Sequence, residues 1–274
     1  MSSVRPLTID TKALLSELFE PIKRDLAIAD ALLEGELKHS NPFIDELAQR
    51  SYRVGGKRLR PALLLLSAQA VGEVTSAHHT LAAVVEMIHT ATLIHDDVLD
   101  EATLRRHEET MNARWENQVS VLLGDYLFTH SFYLASTLET TYGCRTIGRS
   151  TNIVCEGELL QNEASGNFDL SRAQYLRIID AKTAELCACC CNLGAHYAGG
   201  DKKTVASLES FGRHLGIAFQ IADDLLDLEG DEAVTGKSLG TDLAKQKMTL
   251  PLIYLRDSLN AAEREKLRHL VAEP

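Results

Sequence analysis

The chain has 274 residues and a formal net charge of -11, which excludes nucleic acid as its partner, because a phosphate backbone demands a basic face. Its longest uninterrupted apolar runs, such as 62–66, fall far short of the roughly 18 residues of a membrane span. No basic segment followed by an apolar core opens the chain and no Pro/Gly/Ser-rich linker divides it, so one soluble, cytoplasmic domain over 1–274 is expected.

Apolar residues recur at i, i+3, i+4 and i+7 along most of the chain, with abundant Ala and Leu and no convincing alternation at period two, which predicts an all-α fold. Helices are predicted over 11–33, 42–50 and 60–71. The last is entered through Gly55-Gly56-Lys57-Arg58-Leu59-Arg60-Pro61, which presents cations on a flexible segment and lacks the order of a P-loop. A helix over 76–101 carries His89 and ends in Asp96-Asp97-Val98-Leu99-Asp100, with Arg105-Arg106 directly after it. Helices over 112–138 and 146–164 follow. The next, over 171–197, contains Lys182-Thr183 and then Cys187, Cys189, Cys190 and Cys191. No second Cys pair or spaced His pair accompanies these thiols, so small side chains packed inside a helix are expected rather than zinc, in a reducing compartment. A helix over 202–228 ends in Asp223-Asp224-Leu225-Leu226-Asp227, with Lys237 and Lys247 beyond it and helices at 250–257 and 261–270 completing the chain. Several of these helices are apolar around most of their circumference and are expected at the centre of a bundle.

The two copies of Asp-Asp-x-x-Asp carry the chemistry. At about 100° per residue, the first, second and fifth positions of each copy share one helix face, so Asp96, Asp97 and Asp100, and likewise Asp223, Asp224 and Asp227, crowd together. Both copies interrupt apolar stretches, 81–94 and 215–228, where unpaired carboxylates would be costly. Oxygen ligands without Cys or His companions suit a hard cation, so each copy reads as half of a Mg²⁺ clamp. Both lie at helix C-termini, whose partial negative charge adds to the attraction. The Lys and Arg residues scattered around them then describe a site for a polyanion, with diphosphate the natural candidate. No Ser-His-Asp, Cys-His or dinucleotide-binding pattern offers other chemistry. A diphosphate held by Mg²⁺ becomes a leaving group, and the carbocation left behind survives only if water is excluded.

The chain resembles the trans-isoprenyl diphosphate synthases, or polyprenyl synthetases, over roughly 52–252. The motifs that carry the resemblance are Gly-Gly-Lys-Arg-Leu-Arg-Pro at 55–61, Met-Ile-His-Thr-Ala-Thr-Leu-Ile-His-Asp-Asp at 87–97, Arg105-Arg106, Gly124-Asp125-Tyr126-Leu127, Gly157-Glu158-Leu159-Leu160-Gln161, Lys182-Thr183-Ala184, Phe219-Gln220, Gly236-Lys237 and Lys247-Met248-Thr249-Leu250-Pro251. The resemblance implies a bundle of long, mostly antiparallel helices around a central cavity, the isoprenoid synthase fold. It implies that Asp96, Asp97, Asp100 and Asp223, supported by Asp224 and Asp227, hold Mg²⁺ on an allylic diphosphate that Arg105, Lys182, Lys237 and Lys247 also contact. Lys57, Arg60, His89 and Arg106 would bind isopentenyl diphosphate, and Thr183 and Gln220 would stabilise the allylic cation. A homodimer paired through the long helices behind the site is also implied.

In this family, large aromatic residues at the fourth and fifth positions before the first Asp stop chain growth. Here those positions are Thr92 and Ala91, both small, so products from hexaprenyl to decaprenyl are expected and the chain looks most like the octaprenyl-type synthases. A farnesyl or geranylgeranyl synthase is the alternative. A class I terpene cyclase, an HD-type phosphohydrolase and a regulatory subunit of a heteromeric synthase fit less well, since none accounts for two intact acidic motifs. Three departures from the family pattern stand out. His107-Glu108-Glu109 replaces the usual Gly after the paired arginines, with an expected change in that loop. Lys245-Gln246 replaces the usual Glu-Gly before Lys247, which affects the aim of that lysine. The sequence also stops at Pro274, where further helices normally close one side of the bundle.

Overall fold

The computed structural model describes residues 11–53, 56–105, 108–230 and 240–272. Among these described residues the chain is all-α apart from one small hairpin. In order come α1 (Thr11–Phe19), α2 (Lys23–Glu36), α3 (Pro42–Arg53), α4 (Leu59–Gln69), α5 (Ser76–Leu99), β1 (Leu104–Arg105), β2 (Glu108–Glu109), α6 (Met111–Ser136), α7 (Tyr142–Glu163), α8 (Arg172–Ile179), α9 (Glu185–Tyr197), α10 (Lys202–Glu229), α11 (Thr241–Ala244), α12 (Leu250–Ser258) and α13 (Ala261–Ala272). The helix predicted over 11–33 is broken by a 3-10 turn, Glu20–Ile22, because Pro21 has no N–H for the helical ladder. The hairpin, whose strands pair antiparallel with Arg105 opposite Glu108, and the short α11 both escape a periodicity search because they are too brief to show one.

Two helices form the centre. Helix α5 packs on α2, α4 and α6, and α9 packs on α4, α7 and α10. Every residue of α9 from Glu185 to Ala195 is buried, the four cysteines among them. Helix α10, also expected at the centre, differs: Val205, Gly212, Gly216 and Asp224 are its buried residues, while Phe211, Phe219 and Leu226 are more than half exposed. One side of α10 packs on α9 and the turn at 180–184, while these exposed apolar side chains lie on its other side. A smaller apolar cluster joins Phe168 and Leu170 to α8, α12 and α13.

The predicted helix over 171–197 follows one path but changes pitch. Asp180–Ala184 forms a π-helical turn between α8 and α9, a rare insertion that swings the side chains it carries, here Lys182 and Thr183. Neighbouring helices press on that turn from two sides. A Cβ on Gly157 of α7 would lie 2.6 Å from the Lys182 nitrogen, and one on Gly216 of α10 would lie 2.5 Å from the Ala184 Cα. Arg213 clasps both ends, at 2.7 Å to Asp180 and 2.7 Å to Glu185. Replacing Gly157 by Ala is therefore expected to cost about 1–3 kcal/mol of stability through overpacking. It should also lower kcat by displacing Lys182. Parallel melting and steady-state measurements check this, and full activity in a destabilised variant would disconnect the turn from catalysis.

Candidate active site

The first acidic motif occupies the last turn of α5. Asp97 is buried and accepts a 2.7 Å bond from Arg105 Nε on β1, so its carboxylate is held by the protein. Burial, with Asp96 and Asp100 adding to it, still leaves that carboxyl above its ordinary value. Burial also pushes the Asp96 carboxyl up, with Asp100 adding and Lys182, Arg105 and Lys247 opposing. Asp100 behaves differently. Burial would raise it, but the hydrogen bond and charge of Lys245, with Lys247 and Lys182, outweigh burial and hold it below its ordinary value.

Lys245 Nζ donates to Asp100 Oδ1 at 2.9 Å. The departure at 245 thus ties the segment after the second motif to the end of the first. Lys182, on the π turn, donates to Glu158 of α7 at 2.8 Å. Its burial favours the neutral amine, yet Asp96 and Glu158 overcome that and raise its pKa, so it stays an ammonium.

The second motif ends α10. Asp224 is buried with both oxygens engaged, by the Tyr175 hydroxyl at 2.5 Å and Gln220 Nε2 at 2.8 Å. Thr183 Oγ1 donates to the other end of the same amide at 2.9 Å, so Gln220 is fixed between Thr183 and Asp224. This contact raises the Tyr175 pKa, after burial, and keeps the phenol protonated. Asp227 accepts from the Thr241 hydroxyl at 2.8 Å and the Asp242 nitrogen at 3.0 Å, closing α11 onto the motif. Asp242 itself is raised by burial and by Asp224, Asp227 and Asp223, with Lys247 Nζ opposing at 3.6 Å.

Lys247 is where the two motifs meet. Its charge acts on Asp96, Asp100 and Glu158 from one side and on Asp224 and Asp242 from the other. The structure therefore gathers Asp96, Asp100, Lys182 and Lys247 with the second motif, and adds Glu158, Tyr175, Asp242 and Lys245. Sequence reading alone gives none of these four a role, although it marks Lys245 as a departure from the family pattern. Glu158 lies inside one of the motifs of the resemblance, but no spacing marks Tyr175 or Asp242.

The donors around Lys247 are all oxygen, the chemistry of a hard divalent ion. The raised carboxyls of Asp96 and Asp242 are groups whose charge a cation would relieve. Among the described residues, no three such side chains are drawn together as a coordination sphere; Arg105 and Lys245 hold Asp97 and Asp100, and Tyr175, Gln220 and Thr241 hold Asp224 and Asp227.

The cations expected to face a second anion lie on α4 and α5. Arg60 has a buried Nε without a hydrogen-bond partner, a donor left for a ligand. Lys57 precedes it, and the His89 carbonyl accepts from Thr92 Oγ1 at 2.8 Å. Ala91 is fully buried on α5. Arg106 and Lys237 lie outside the described residues. Glu108 pairs with Arg50 of α3 at 2.9 Å, while Glu109 lines the small cavity beside Asp97 and Arg105. A cavity of about 20 Å³ lies beside Thr90, Ile94, Asp97 and Arg105, whereas an open recess of about 510 Å³ sits among Tyr142, Arg145, Arg149 and Glu209. The larger recess contains none of the perturbed carboxylates of the two motifs, so the chemistry points to the acidic site despite its smaller volume.

The sequence model of the polyprenyl synthetase family matches residues 41–274. The chain is 38% identical over 240 residues to octaprenyl diphosphate synthase of Escherichia coli (strain K12), covering 88% of this chain and 74% of that protein. Its structure is similar to that of a decaprenyl diphosphate synthase from Rhodobacter capsulatus, with a TM-score of 0.87 at 38% identity over 94% of this chain and 84% of the other. A polyprenyl synthase from Caulobacter crescentus CB15, complexed with calcium and isoprenyl diphosphate, matches with a TM-score of 0.84 at 35% identity, again over 94% and 84%. With two Asp-Asp-x-x-Asp motifs facing a shared lysine inside this bundle of helices, the chain belongs to the polyprenyl synthetase family and is a prenyltransferase with the isoprenoid synthase fold.

Proposed function

We propose that the chain condenses isopentenyl diphosphate with an allylic diphosphate and repeats the step to give a long-chain polyprenyl diphosphate. The observation that carries this reading is that one segment touches both acidic motifs, with Thr241 and Asp242 on Asp227 and Lys245 on Asp100 at 2.9 Å. Asp96, Asp100 and Asp223, with Asp97, Asp224 and Asp227 in support, would hold the metal, which we assign as Mg²⁺; a calcium-bound relative supports a divalent ion. When bound, that ion would neutralise charge developing on the departing diphosphate. Lys182, Lys247 and Arg105, joined by Lys237, hold the allylic diphosphate as ammonium and guanidinium donors. Lys57, Arg60, His89 and Arg106 hold isopentenyl diphosphate so that its double bond faces the allylic C1. As the C–O bond breaks, that double bond attacks C1, the new C–C bond forms, and the proton lost from the resulting cation goes to the released pyrophosphate. Thr183 donates its proton to Gln220, which turns the hydroxyl lone pairs outward to face positive charge.

The identity to the Escherichia coli octaprenyl synthase and the small side chains at Ala91 and Thr92 support a long product. Exposed apolar side chains at Val121, Leu122 and Tyr133 of α6 and Leu159 of α7 support a homodimer paired through these helices. No helix among the described residues is long and apolar enough to cross a membrane. The test incubates the purified chain with isopentenyl diphosphate, farnesyl diphosphate and Mg²⁺ and chromatographs the dephosphorylated products. Hexaprenyl to decaprenyl alcohols are expected, and growth halting at farnesyl or geranylgeranyl length would reject the long-chain reading. Sedimentation of the same sample should give a dimer; a monomer that is fully active would remove that part.

A further inference from the structure

The residue between Lys57 and Arg60 has the unusual backbone. Arg58 sits in the left-handed region, φ 53 and ψ 33, immediately before α4. Residues other than Gly rarely adopt this conformation, and it persists where surrounding contacts over-determine it. Here the contacts come from three helices. The guanidinium Nε donates to Asp30 of α2 at 2.7 Å, Nη1 donates to Glu86 of α5 at 2.8 Å, and the group lies 4.7 Å from the centroid of the Tyr52 ring of α3. The Arg58 side chain is 13% exposed and that of Glu86 2%.

With two carboxylates on it, Arg58 has no charge to spare for a ligand. Burial would weaken its hold on the proton, but Glu86 and Asp30 more than compensate. What the pair does is geometric. Glu86 lies three residues before His89, so the two are neighbours on the surface of α5. The carboxylate that pins Arg58 therefore fixes the Lys57–Arg60 segment against the helix that carries His89. Arg60, two residues beyond Arg58, keeps its buried Nε without a hydrogen-bond partner.

We propose that Arg58 and Glu86 are positioning residues that hold Lys57, Arg60 and His89 in register for isopentenyl diphosphate. This rests on the reading of those three side chains given above. Because a buried ion pair can also serve the fold alone, the test separates substrate positioning from stability. The variants are Arg58→Lys, which keeps the charge but cannot bridge two carboxylates as a fork, and Glu86→Gln, which keeps the size. A third, R58M/E86L, replaces the buried pair by apolar groups and leaves as its one unpaired partner Asp30, whose side chain is 34% exposed and can be solvated.

Each is assayed with farnesyl diphosphate as primer, titrating each substrate in turn. The KM for isopentenyl diphosphate is expected to rise about tenfold or more, as expected when reacting groups are misplaced. The KM for farnesyl diphosphate and the metal requirement should stay at the wild-type value. The double variant decides the matter if a single one fails to fold: restored stability with a raised isopentenyl KM supports positioning. Wild-type KM in the double variant, or equal rises for both substrates, would overturn it. Failure of the underlying site reading looks different, since Lys57→Ala and Arg60→Ala would then leave the isopentenyl KM untouched in the wild-type background.

Discussion

Asp96→Asn is expected to lower kcat by on the order of 10²–10³-fold, the loss typical when one charge-stabilising group is removed from a reacting site. The same variant should melt at a higher temperature than wild type when both are free of metal. The physical reason is the balance at Asp96. Burial disfavours its charged form more than Lys182, Arg105 and Lys247 favour it, so the carboxylate is a net cost to the folded chain and the neutral amide removes that cost. Adding Mg²⁺ should stabilise wild type more than the variant, because a ligand that binds only the folded state raises its stability by mass action. Steady-state rates and melting curves with and without metal read all three effects. A variant that keeps its activity would remove Asp96 from the site; one that melts lower without metal would show that its contacts with the lysines outweigh its burial.

The contrast with Asp224 sharpens this expectation. Both residues belong to the same pattern, and spacing alone treats them as equals. In the structure Asp224 already accepts from Tyr175 and Gln220, so its carboxylate serves to fix the amide that faces Thr183. The helices and the two motifs were readable because apolar periodicity and carboxylate spacing are local signals. The break at Pro21 was missed, because apolar periodicity runs through it and the helix over 11–33 was expected whole. The π turn at 180–184 was not readable. Its residues are ordinary helix formers, and the helices that crowd it meet it at Gly157 and Gly216, some 25 and 32 positions away from Lys182 and Ala184. Asp242 and Tyr175 escaped for the same reason, and Lys245 showed only as a departure from the family pattern, without its partner Asp100. Their meaning comes from which distant carboxylate they touch, and a single sequence does not carry that information. The exposed side of α10 was also hidden, since an apolar circumference predicts burial without saying which side is covered.

Ala91→Tyr carries the second large effect, on product length more than on rate. Ala91 is fully buried on α5, five residues before Asp96, so a side chain there lies more than one turn below the first acidic motif, on the apolar side of the site. In the proposed reading, a growing prenyl chain anchored by its diphosphate at Asp96 and Asp100 would have to pass this level to lengthen. A tyrosine ring would block that path, as overpacking of a close-fitted interior cannot be absorbed without displacement. The first condensations need less depth and should proceed. The variant is therefore expected to turn over isopentenyl diphosphate with near-normal KM while its products collapse to geranylgeranyl length or shorter, at a stability cost of about 1–3 kcal/mol. Chromatography of the dephosphorylated alcohols from wild type and variant, run side by side, measures the shift. An unchanged product distribution would mean that the chain grows past another face of α5, and the stop would then have to be sought along α6, the helix packed against it.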